Sequence, residues 1–108
     1  MNRKITFRAI EHSDDIEKEV HMHIDKMEKF FKPEQGPTNV EVVIESHRDK
    51  QFFIVEFRIQ TPHYHIIATE EGENISSLIN KATQKAIQEI IEEKGKFQTK
   101  RDHIQNKE

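Results

Sequence analysis

A chain of 108 residues, 33% hydrophobic and 34% charged, has material for one domain with a small core and a heavily charged surface. It has no cysteine, which excludes disulfides, thiolate metal sites and cysteine nucleophiles, and no apolar run near the ~18 residues of a membrane span. Seventeen Lys and Arg against 20 Asp and Glu leave a net charge of −3 with histidine neutral, so affinity for a polyanion has to arise from a local patch.

The chain begins Met1-Asn2-Arg3-Lys4, with no apolar signal segment behind it, which points to a cytoplasmic protein. Residues 4–10 alternate, with Ile5, Phe7 and Ala9 on one face, and predict a half-buried strand. Ser13 is placed to cap a helix whose first turn holds Asp14, Asp15 and Glu17, as the helix dipole prefers. Ile16, Val20, Ile24, Met27 and Phe31 then recur at spacings of 4, 4, 3 and 4, one stripe of an amphipathic helix, with Lys29 and Lys32 near its end. Pro33 and Gly36-Pro37 stop it.

Residues 39–45 form a second predicted strand with Val40, Val42 and Ile44 inward, followed by a polar connection, His47-Arg48-Asp49-Lys50. The third, 51–60, places Phe53, Val55, Phe57 and Ile59 on one face and Phe52 and Ile54 on the other. Thr61-Pro62-His63 turns the chain into a fourth strand over 64–70. Asn74 caps a second helix with the stripe Ile75, Ile79, Ala82, Ala86 and Ile90, expected to run to about Lys94 and stop at Gly95. The fold class is therefore α+β in the order β-α-β-β-β-α. It is a four-stranded mixed sheet with both helices on one face, the first two strands being parallel neighbours. Residues 1–95 make the domain, and 96–108 are expected to be a flexible polar tail.

This order, together with Lys26-Met27-Glu28-Lys29-Phe30-Phe31, Val40-Glu41-Val42-Val43-Ile44 and the stretch 66–85 through Glu71-Gly72, resembles one family. It is that of the ribosome hibernation promoting factors and ribosome-associated inhibitors, also labelled sigma-factor modulation proteins. The likeness runs from about Ile5 to Lys96, and the length resembles the family's short form, which lacks a C-terminal dimerisation domain. Such proteins bind the small ribosomal subunit in the channel used by messenger and transfer RNA, block translation and preserve idle ribosomes. The resemblance implies the same here, with residues 1–95 as the ribosome-binding domain and the chain a monomer off the ribosome. It implies no cofactor, no membrane and no small-molecule substrate. The family's basic stripe on the last helix is matched by Lys85, Gln88, Glu92 and Lys96, two of them not basic, and its Asp-Met-Tyr helix start by Asn74-Ile75-Ser76.

The candidate contacts to rRNA phosphates are Lys26 and Lys29 on the first helix and Lys81 and Lys85 on the second, each pair spaced to share a helical face. Each contributes a salt-dependent attraction that is blind to sequence. Lys94 and Lys96, with Lys100 and Arg101, extend the patch, and His23 matches a position often basic in the family, where partial protonation aids phosphate contact. The plainer explanation is a solvated face whose lysines pair with Glu28, Glu89 or Glu92, and an acidic surface there would suit a protein partner instead. No metal site is expected: His21 and His23 point to different sides of a helix, and His63 and His65 lack further ligands at a convincing spacing. Catalysis has no support, since no phosphate-cradling glycine loop and no nucleophile with base and orienter can be found. Phe30-Phe31 and Phe52-Phe53 are read as core, Phe52 being the partial exception.

Overall fold

Two capped helices set the frame. Ser13 Oγ accepts from the Ile16 amide at 3.3 Å and starts α1, Asp14–Phe31, while Asn74 Oδ1 accepts from the Ser77 amide at 3.0 Å and starts α2, Ile75–Asn106. The strands are β1 (Asn2–Arg8), β2 (Asn39–His47), β3 (Phe52–Gln60) and β4 (His65–Gly72). The computed structural model describes residues 1–31, 36–47 and 51–106, with side chains as far as Lys96. The predicted stop at Pro33, the connection through Arg48, Asp49 and Lys50, and the side chains of Lys100 and Arg101 lie outside that set.

The sheet runs β1-β2-β3-β4, with β1 parallel to β2 and the other pairs antiparallel, as the sequence predicts. In register, Ile5 stands opposite Val42, Ile44 opposite Val55, and Phe57 opposite Ala68. This aligns the apolar side of every strand beneath the helices. Val20, Ile24 and Met27 of α1 and Ile79, Ala82, Ala86 and Ile90 of α2 are fully buried there with Val40, Val42, Ile44, Val55, Phe57 and Ile59. Burying each large aliphatic side chain contributes about 1.5–3 kcal/mol, which makes this layer the main source of stability.

β1, β2 and β4 point the same way, and each helix returns after a strand, so α1 and α2 run parallel to each other across the sheet. Their seam is tied near both ends. Ser76 Oγ donates to Glu19 at 2.9 Å, and Lys94 Nζ donates to the Phe30 carbonyl.

Two boundaries differ from the sequence reading. β1 ends at Arg8 because Ala9 takes a left-handed φ of 56° and turns the chain, so Ala9 is exposed and Ile10 packs on the core instead. α2 does not stop at Gly95 but continues to Asn106. A Cβ at Gly95 would meet nothing within 4 Å and its φ is not left-handed, so this glycine sits as an ordinary helical residue on an open face. Gly36 is the position that needs a glycine: its φ is +106°, and a Cβ would lie 2.7 Å from Pro62 Cγ.

Candidate nucleic-acid interface

The face of the sheet away from the helices carries its own charge network. Lys4 reaches Glu41 at 3.8 Å, Arg58 reaches Glu41 at 3.6 Å and Glu56 at 2.6 Å, and Thr69 donates to Glu56 at 3.1 Å. One polar chain thus crosses all four strands and covers Val43, which is buried although it points away from the core. Lys4 and Arg58 on this side are already engaged with carboxylates.

The helix layer is arranged differently. Lys26, Lys29, Lys81 and Lys85 are exposed, and among the described residues no carboxylate lies within ion-pair distance of any of them. Of the acids expected to neutralise them, Glu28 meets Arg3 at 3.8 Å, where Asp25 joins it at 2.6 Å, and Glu92 accepts from Gln88. Arg3 is a tie that sequence reasoning missed. It reaches from the edge strand to α1, and its Nη1 lies 3.0 Å from His21 Nδ1.

The two lysine pairs do not line one groove. Ser76 and Lys94, which both meet α1, are 18 residues apart, about five full turns, and so share one side of α2. Lys85 lies midway between them, about 180° around the axis, and Lys81 about 140° from Ser76. On α1, Lys29 stands opposite the buried stripe and Lys26, seven residues from Glu19, lies toward the side that meets α2, whereas Lys81 and Lys85 stand on the flank of α2 turned away from α1.

Three further candidates are placed otherwise than the sequence predicts. His23 is only 8% exposed, on the side of α1 that meets α2, and its Nδ1 is buried with no hydrogen-bond partner among the described residues. Burial above all, and then the Lys26 ammonium, push its pKa below 6.5 against the opposing pull of Glu19, so it is neutral at physiological pH and turned away from any phosphate. Lys94 is half-buried and engaged by the Phe30 carbonyl. Lys96 remains exposed and pairs with Glu93 at 3.6 Å.

One polar cluster was not singled out from the sequence. His12 lies 2.5 Å from Glu17 and 3.5 Å from Asp14, its ring edge-on to Phe7 at 5.0 Å. The two carboxylates sit at the positive end of α1, where negative charge is favoured. The signal was a histidine just ahead of the Ser13 cap, within reach of acids in the first turn.

Solved structures share this architecture. The N-terminal domain of Protein Y from Thermus thermophilus superposes with a TM-score of 0.69 at 19% identity, covering 83% of this chain and 96% of that one. A ribosomal subunit interface protein from Coxiella burnetii gives 0.67 at 16% identity, covering 88% and 99%. No curated protein sequence matches the chain. The family model described as sigma 54 modulation protein / S30EA ribosomal protein matches residues 4–98, from the third residue of β1 into the part of α2 beyond Gly95. The chain belongs to the sigma 54 modulation protein / S30EA ribosomal protein family.

Proposed function

We propose that this protein is a ribosome-associated translation inhibitor that occupies the messenger and transfer RNA channel of the small subunit and acts by obstruction, without catalysis. Family membership and the likeness to a subunit interface protein support ribosome association. The observation that carries the finer reading is the sorting of cations. Lys26, Lys29, Lys81 and Lys85 are exposed and lack carboxylate partners among the described residues, whereas Lys4 and Arg58 on the opposite face are engaged. Their spread, from Lys26 and Lys29 on α1 to Lys81 and Lys85 on the far flank of α2, suits a domain surrounded by RNA walls better than one lying on a flat duplex.

Sedimentation with purified ribosomes tests this. The chain should travel with small subunits at low salt and leave as salt rises, with a log–log slope of about −3 if all four lysines meet phosphates. The double variant Lys81→Glu, Lys85→Glu should lose binding at a salt concentration where the wild type is bound. Indifference to that charge reversal would favour a protein partner on the ribosome, and absence from ribosomes at low salt would sink the proposal.

A further inference from the structure

We propose that Lys94 is a positioning residue. By donating to the Phe30 carbonyl it fastens the last turn of α1 to α2 and so fixes where Lys26 and Lys29 present their charge, a role that rests on the RNA reading above. Phe30 lies in the last turn of α1, Asp14–Phe31, together with Lys29. An ammonium there bonds a carbonyl of that turn and opposes the negative end of the helix dipole. Lys29 lies in that last turn and Lys26 one turn earlier. Fraying of this end would therefore spread both charges over many orientations.

The tie also closes the seam. Among the residues with described side chains, Ile90 is the last of α2 in the buried core, and Lys94 follows it by one turn on the side of α2 that meets α1. With Ser76 bound to Glu19 near the start of both helices, α1 and α2 are held near both ends by polar contacts, and Lys94 supplies the one nearer the lysines. Its partial burial sets it apart from Lys26, Lys29, Lys81 and Lys85, which are exposed.

The test compares Lys94→Met, which keeps the aliphatic stem, with Lys94→Arg, which keeps a cationic donor, and with Lys26→Met. Binding of each full chain to small subunits is measured across a salt series, and amide exchange is followed in the free proteins. Lys94→Met should weaken binding about three- to tenfold at fixed salt, the range expected for one lost hydrogen bond, with an unchanged salt slope. Lys26→Met should lower the slope by about 0.7–0.9. In the free protein Lys94→Met should speed exchange in the last turn of α1, and Lys94→Arg should restore both affinity and protection. A slope that falls in Lys94→Met as it does in Lys26→Met makes Lys94 a phosphate contact and overturns the proposal. So does a variant unchanged in both affinity and exchange. If the wild type does not bind ribosomes, the RNA reading falls and the positioning role with it, while exchange at the end of α1 still reports separately whether the tie exists.

Discussion

His23 shows how one side chain can carry opposite meanings in sequence and in space. On the chain it sits between Glu19 and Lys26 on a helix rich in charge, which reads as a surface position. In space it is three residues before Lys26 on the side that meets α2, and it is buried. The stripe Val20, Ile24, Met27 marks the centre of the buried face but not its width, and the neighbouring helix extends that face to include position 23. The resulting pH dependence has a definite sign. The imidazole titrates near 6.5 in the unfolded chain and lower in the folded one, so between those values the unfolded state holds more protons and stability rises with pH. His23 thus penalises folding least above about 6.5, and stability is lost as pH falls toward the folded value. Urea unfolding at a series of pH values should show a smaller loss on acidification for His23→Leu than for the wild type. Equal losses in the two proteins would mean that the imidazole is solvated.

At the level of elements, the caps and apolar stripes were legible because they are local. Ser13, Asn74 and the residues beneath each helix follow from spacing alone, and the strand order follows from short connections. The end of α2 was not legible, because a glycine after a buried stripe reads equally as a stop or as a helical residue on an open face. These alternatives differ in sign for one substitution. Gly95→Ala within a helix should stabilise the surrounding segment by about 0.5–1 kcal/mol, while at a left-handed cap alanine would destabilise it. Far-UV circular dichroism and amide exchange near residue 95 should show increased helicity and protection. Likewise, the two lysine pairs were readable as pairs, yet their separation around α2 was not. It depends on which side of α2 meets α1, and only contacts such as Ser76 with Glu19 define that.

For the molecule as a whole, a net charge of −3 conceals two unlike surfaces. The sheet side is self-neutralised through Glu41, which serves both Lys4 and Arg58. The helix side leaves Lys26, Lys29, Lys81 and Lys85 without carboxylate partners among the described residues. Exposed ion pairs of this kind add little stability, roughly 0–1 kcal/mol, so their main effect is on where the molecule attracts a polyanion. Glu41→Gln should leave urea stability nearly unchanged and strengthen retention on heparin at low ionic strength, by removing one negative charge and releasing Lys4 while Arg58 stays with Glu56. Unaltered retention would show that the sheet side contributes nothing to the outer field.

The length of α2 has a hydrodynamic consequence. The molecule measures 60 × 24 × 17 Å, and its radius of gyration of 16.0 Å exceeds the roughly 13 Å of a compact chain of this size. It therefore diffuses as a rod. Rotation about the long axis is faster than end-over-end tumbling, so amide bonds lying along α2 relax differently from those set across it.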